Sequence, residues 1–241
     1  MCYMIYAEIL AGGKGTRMGN TALPKQFLNL GGMPIIIQTT SKFLLQPFFS
    51  GILIVVPNQW MRYTSDLFKK FFSEDELRKI SIVKGGNNRN QTLMNGVDFI
   101  ENNFGLNDED IIVTHDAVRP FVSSKIIEEN VKAAKKYGAA DTVITATDTI
   151  VEGNLANDLI KSIPDRKKMY QGQTPQTFNI KKLKSGYAKL SEDQKSILTD
   201  AAKIFLLTDT SSVKMVEGES INFKITKIFD LKMAELLVGE R

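Results

Sequence analysis

Between residues 4 and 145, short β-rich runs take turns with longer stretches of helical period, and this alternation restricts the fold more than any other feature. The spacing predicts strands over 4–10, 52–56, 80–83, 110–114 and 141–145. It predicts helices over 34–45, 59–72, 90–102 and 124–136, with one more near the end at 230–237. The runs beginning at Ile52 and Asp110 are continuous rather than alternating, as expected of strands covered on both faces. The expected architecture is therefore α/β and Rossmann-like: a mostly parallel sheet with helices on both faces. Ligands of such sheets gather beyond the carboxyl ends of the strands. The loops after Leu10, Val83 and Thr114 are the places to search.

The rhythm breaks between Asp148 and Phe178. The stretch TIVEGNLANDLIKSI holds two short β-like runs around a Gly-Asn and Asn-Asp cluster, which predicts a hairpin. The polar PDRKKMYQGQTPQTF follows, with two prolines and no helical period. We expect one domain over 1–241 with a protruding arm at about 148–178, of the kind that serves as an oligomer contact. A floppy surface insertion is the competing expectation.

One cysteine, Cys2, and one histidine, His115, exclude an internal disulfide and a zinc cluster. Any metal must be a hard cation held by oxygen ligands or by a ligand's own phosphates. The apolar runs are too short to span a bilayer and no signal-like start is present, so the expectation is a cytoplasmic protein with no membrane partner. The net charge is +4, but no acidic residue falls between Glu8 and Asp66, while Lys14, Arg17, Lys25, Lys42 and Arg62 do. Such a local positive field suits an anionic ligand. Without an Arg/Lys-rich helix or an aromatic-interleaved basic strand, nucleic acid is not the expected partner.

The loop after the first strand reads LAGGKGTRMG. A P-loop needs a glycine where this chain has Glu8, and Ser or Thr where it has Gly15. The dinucleotide pattern G-x-G-x-x-G is missed by one residue, because Gly13, Gly15 and Gly19 are spaced G-x-G-x-x-x-G. Glycines still let the backbone approach a ligand and point amides at it. Together with the guanidinium of Arg17 and the ammonium groups of Lys14 and Lys25, they match a polyphosphate better than a lone carboxylate.

The wider pattern resembles the sugar-phosphate cytidylyltransferase family. It consists of LAGGKGTRMG with LPKQF, then KGGNNRNQT (84–92), THDAVRPF (114–121), QGQTPQTF (171–178), LTDAAKIF (198–205) and NFKITKIFDL (222–231), in order and at the family's spacing. The resemblance runs from Met4 through nearly the whole chain. The paired glycines Gly12 and Gly13, YQGQTPQTF and LTDAAKIF look closer to the ribitol-5-phosphate members than to the 2-C-methyl-D-erythritol 4-phosphate members, the near relatives.

The resemblance implies a reaction of CTP with D-ribitol 5-phosphate to give CDP-ribitol and pyrophosphate, feeding a teichoic-acid-type cell-wall polymer. The alternative is methylerythritol phosphate and isoprenoid synthesis. It further implies Arg17, Lys25 and Lys224 as catalytic cations on the triphosphate. Leu10, Ala11, Gly12, Gly13, Lys14, Gly15 and Thr16 would cradle CTP, with Gly85, Gly86, Asn87, Arg89, Thr92 and Asp116. Cytosine selection falls to backbone groups near Ala11 and Gly86; Asn87 stands where relatives commonly carry an acid. The acceptor would meet Asp116, Arg119, Thr149, Arg166, Thr174, Thr199 and Asp200. Of these, Thr149 and Arg166 would reach across a homodimer formed through the arm. Mg2+ is expected with the CTP phosphates, and Asp116 is its candidate protein ligand.

Bland explanations exist for several of these residues. A lysine such as Lys224 is usually a solvated face residue, Asp116 and Arg119 three apart can be a plain salt bridge, and Thr199-Asp200 is an ordinary helix start. Two other functions fit parts of the sequence. A dinucleotide-dependent oxidoreductase would share the layout but need the missing glycine spacing. A sugar-nucleotide sensor could dispense with Lys25, Asp116 and Lys224 together.

Overall fold

The computed structural model describes residues 3–13, 23–154, 156 and 158–239. In chain order the strands are β1 (Ile5–Leu10), β2 (Asn29–Leu30), β3 (Met33–Pro34), β4 (Gly51–Val56), β5 (Ile80–Lys84), β6 (Ile111–Asp116), β7 (Ala139–Thr145), β8 (Glu152–Asn154), β9 (Leu159–Ser162), β10 (Tyr170–Asn179) and β11 (Val213–Glu217). The helices are α1 (Ile35–Leu44), α2 (Met61–Phe71), α3 (Glu74–Leu77), α4 (Arg89–Phe104), α5 (Ser124–Tyr137), α6 (Ile180–Lys189), α7 (Glu192–Ser196), α8 (Ala202–Thr208) and α9 (Ile228–Gly239).

Seven strands form one sheet in the order β11-β7-β10-β6-β1-β4-β5. Every neighbouring pair is parallel except those of β10, which runs antiparallel between β6 and β7. The expected mostly parallel α/β sheet is therefore present. The continuous apolar runs divide with period two, because successive side chains leave a strand on opposite faces. Ile5, Ala7 and Ile9 of β1 pack with Ile52 and Ile54 of β4, Phe43 of α1, Phe68 of α2 and Ile127 of α5. On the other face Tyr6, Leu53, Val55 and Ile112 meet Val97 of α4, Leu183 of α6 and Phe205 of α8. Most of these side chains are fully out of water, and each Ile, Leu, Val or Phe among them contributes about 1.5–3 kcal/mol of transfer free energy.

The arm is shorter than the sequence suggests. β8 and β9 pair antiparallel as the expected hairpin, with their described residues exposed, but residues 170–179 are β10, inside the sheet. Polar residues, a glycine and a proline hide this strand from a periodicity argument. Its register slips between Gly172 and Gln176, where the ladder absorbs that proline.

A third cluster closes the active edge. Leu30, Ile35, Val118 and Phe121 pack with Ile225 and with Ala234 of α9, so the last helix pins the 222–226 segment against the body. Among the described residues no helix is long and apolar enough to cross a membrane.

Candidate active site

β1 and β6 lie side by side with Leu10 opposite Asp116, so the glycine turn and the acidic strand end open at one edge. The turn after β5 is fixed by Gly85 N–H on Val56 O (2.7 Å) and by Gly86 N–H on Thr92 Oγ1 (3.1 Å). Asn88 then caps α4 by accepting from Gln91 N–H at 2.8 Å, which sets Arg89 in the first helical turn. These loops enclose a cavity of about 360 Å3 lined by Leu10, Ala11, Gly12, Gly13, Lys25, Gln26, Gly86, Asn87, Arg89, Thr92, Asp116 and Lys224, among others.

Asp116 is its hub. Arg89 Nη1 donates to Oδ1 at 2.9 Å, while Arg119 Nε (3.2 Å) and Lys224 Nζ (3.0 Å) both reach Oδ2. Burial alone would raise this carboxyl, but Arg89, Lys224 and Arg119 outweigh it and hold the group well below the usual carboxylate range. Three cations gathered on one anion leave net positive charge, and Lys224 remains about one-third exposed to the opening. Such a cluster suits a polyanionic ligand.

A hydrogen-bond relay fixes the hub from behind. Arg119 O can only accept, so His115 Nε2, 3.0 Å away, carries the proton. Nδ1 therefore accepts from Thr174 Oγ1 at 3.0 Å, and that oxygen accepts from Asp116 N–H at 3.1 Å. Burial lowers His115 to about 4, so the ring is neutral at pH 7 and acts as a spacer. Thr174, expected on the acceptor, is buried and has its hydroxyl committed to this relay.

Lys25 starts a 3-10 turn after Pro24, is buried, and lays its Cε 3.8 Å from where a Cβ of Gly13 would stand. Gln26, which sequence reasoning passed over, lines the cavity and donates Nε2–H to Ala11 O at 2.7 Å. The amide of Ala11 is committed to Val55 O at 2.9 Å, and that of Gly86 to Thr92. Gly85 supports the turn from below and does not line the cavity.

Lys14, Gly15, Thr16 and Arg17 lie outside the described residues. Thr149 and Arg166 are exposed on the arm, where Arg166 Nη1 donates to Thr147 O at 2.9 Å; within one chain neither reaches the cavity. Thr199 is exposed, and Asp200 accepts from Gln176 Nε2 at 2.8 Å and from Ala202 N–H, at the start of α8, at 2.8 Å. Asp116, expected as a Mg2+ ligand, has both its oxygens bonded to cations. Among the described residues no group of three acidic, His or Cys side chains could cage a metal.

A second groove, about 820 Å3, borders the first and shares Lys224 with it. Arg119, Thr145, Thr147, Gln171, Gln173 and Ser220 are among its walls, offering hydroxyl and amide groups beside the cation cluster.

Residues 5–240 match the family model of 2-C-methyl-D-erythritol 4-phosphate cytidylyltransferase (IspD). The chain belongs to this family. It is a cytidylyltransferase, and hence a nucleotidyltransferase. Among solved structures, the 4-diphosphocytidyl-2C-methyl-D-erythritol synthase of Anaerococcus prevotii is 26% identical with a TM-score of 0.80, over 98% of this chain and 96% of that one. The 2-C-methyl-D-erythritol 4-phosphate cytidylyltransferase of Francisella tularensis is 24% identical with a TM-score of 0.77, over 97% and 99%. That of Thermus thermophilus is 23% identical with a TM-score of 0.72, over 99% and 100%. The expected nearer likeness to ribitol-phosphate members finds no support in these matches, which carry methylerythritol names.

Proposed function

We propose that this cytidylyltransferase joins the cytidylyl group of CTP to the phosphate of a short acyclic polyol phosphate and releases pyrophosphate. The observation that carries this reading is the meeting of Lys25, from the start of the chain, and Lys224, from its end, in one cavity beside Gly12 and Gly13. A phosphate oxygen of the acceptor attacks the α-phosphorus of CTP. The bond from that phosphorus to the bridging oxygen breaks, and pyrophosphate leaves with the electron pair. The attacking phosphate is already largely dianionic near neutral pH, so no strong base is required, and the neutral His115 is consistent with this. Fixed cations that hold two polyanions together and meet the growing charge supply the catalysis. In this reading Lys25 and Lys224 flank the α-phosphate, and Arg17 faces the leaving end.

The acceptor's carbon chain occupies the second groove, whose hydroxyl and amide groups match a polyol. A second copy supplies Thr149 and Arg166 from its arm, which would pair an exposed arginine with the acceptor's phosphate. A divalent cation enters with the triphosphate rather than on a protein cage.

The first acceptor to test is 2-C-methyl-D-erythritol 4-phosphate, for which the family and its solved members are named. D-ribitol 5-phosphate is the second. It rests on this chain's own wording at Gly12-Gly13, 171–178 and 198–205. Side-by-side assays of pyrophosphate release at matched concentrations separate them. Equal inactivity with both would remove the reading.

A further inference from the structure

Lys224 is held at its tip by Asp116, yet its backbone lies in an irregular stretch between β11 and α9, where no ladder fixes it. What fixes it is a closed set of bonds behind the cavity. The Asn222 side chain is fully buried and spends both amide protons on β10: one on Thr174 O at 2.8 Å, one on Gln173 Oε1 at 3.1 Å. Gln173 is buried too, and its own Nε2 returns to Glu219 O at 2.9 Å, which also accepts from Asn222 N–H at 2.9 Å. The carbonyl of Asn222 accepts Arg119 Nη1 at 2.7 Å. Three residues further on, Ile225 N–H closes on Val118 O at 2.9 Å. Gly218 completes the set, because a Cβ there would stand 2.5 Å from Gln173 Oε1 and 3.0 Å from Thr142 Cγ2.

From this geometry we infer that Asn222 and Gln173 form a clamp that positions Lys224 for the transfer step. Both are positioning residues. Neither places a side chain on Asp116, and Asn222 lines neither cavity; Gln173 borders the second groove, but its amide is committed to Glu219 and Asn222 rather than offered to a ligand. The clamp ties the lysine to the strand that carries Thr174, and so to the backbone amide of Asp116. Its amide bonds lie in a dry setting, where a missing partner leaves a buried polar group unsatisfied. Breaking the clamp frees the lysine's backbone while leaving the glycine turn, Lys25 and Arg89 in place. A displacement near 1 Å at a transition-state contact costs roughly 100-fold in rate.

The inference rests on the proposed role of Lys224, so the test separates the two. Asn222→Ala and the volume-keeping Gln173→Met are made in the parent and in Lys224→Ala, and kcat and KM for CTP are measured on folded protein. Lys224→Ala alone tests the functional reading: if it retains full turnover, that reading is overturned and the clamp with it. If Lys224→Ala collapses turnover, the clamp predicts kcat roughly 10-fold to 100-fold lower in each single variant, with KM for CTP within about threefold. It also predicts no further loss when either change is added to Lys224→Ala. Full activity in folded Gln173→Met, or equal losses with and without Lys224, would overturn the clamp. Gly218→Ala provides an independent variant should Asn222→Ala not fold. It removes no hydrogen-bonding group but crowds Gln173 off its partners, and it should reproduce the loss in kcat.

Discussion

Lys224 Nζ lies 3.0 Å from Asp116 Oδ2, joining the end of the β6 strand to a segment near the end of the chain. The same oxygen receives Arg119, and its twin receives Arg89. One buried anion thus keeps three cations in a fixed array.

That array makes Asp116 more than a bystander in stability. Asp116→Asn leaves three neighbouring cations without their counter-charge, one of them, Arg119, on a side chain largely shielded from water. Removing one partner of a buried charge cluster costs roughly 3–5 kcal/mol. Urea unfolding at pH 7 should show a loss of that order together with a collapse in turnover. Stability within about 1 kcal/mol of the parent would contradict the hub.

Lys25 and Lys224 are assigned to the charge that grows during transfer rather than to ground-state binding. Lys25→Met and Lys224→Met should each lower kcat by roughly 100-fold or more while changing KM for CTP much less. Steady-state kinetics on both variants read this directly. A rise in KM with kcat intact would assign them to plain binding.

Asp141 and Asp200 both accept from the single Nε2 of Gln176, at 2.9 and 2.8 Å. Burial, then the neighbouring Asp200, push Asp141 up to about 7. A carboxyl whose folded pKa is raised binds its proton more tightly in the native state, so stability falls as pH rises from about 4 to about 7. Asp141→Asn keeps an acceptor for Gln176 and needs no proton. Its melting temperature should match the parent near pH 4.5 and exceed it at pH 8. A difference independent of pH would refute this.

Glu8 is fully buried on β1, and neither of its carboxyl oxygens has a hydrogen-bond partner among the described residues. Burial raises its pKa well above the ordinary value, with Arg89 only partly opposing. The side chain fits because α4 carries Gly96 there, and a Cβ at that position would run into the carboxyl group. The sign is again that of a raised acid: stability declines as pH climbs above the unfolded carboxyl pKa. Glu8→Gln should therefore be more stable than the parent at pH 8 and lose that advantage by pH 4. Gly96→Ala should be destabilising at both. Thermal melts across this range check the pair.

Much of this fold can be read from the chain because β4 and the core of β6 announce themselves as unbroken apolar runs, and α1, α2, α4 and α5 follow at regular intervals. β10 could not be read that way. Its residues Gln173, Thr174 and Gln176 are polar, and each is buried with hydrogen bonds to residues distant in sequence: Glu219 and Asn222, His115 and Asp116, or Asp141 and Asp200. The same cause divides the site. The glycine turn, Lys25, Asp116, Arg119 and Lys224 stand in local motifs. Gln26 falls within LPKQF, but its bond to Ala11 O depends on the turn's shape. Asn222 and Gln173 act through partners remote in sequence, and no spacing rule reports them.

The most direct test of the account is transfer itself. The purified chain is incubated with CTP, magnesium and each polyol phosphate in turn, and products are followed by phosphorus NMR. One pyrophosphate should be released for each CDP-linked polyol formed, with at least one of the two acceptors, and both signals should be almost lost in Lys224→Ala. No pyrophosphate with either acceptor, or undiminished transfer in that variant, would contradict the proposed function.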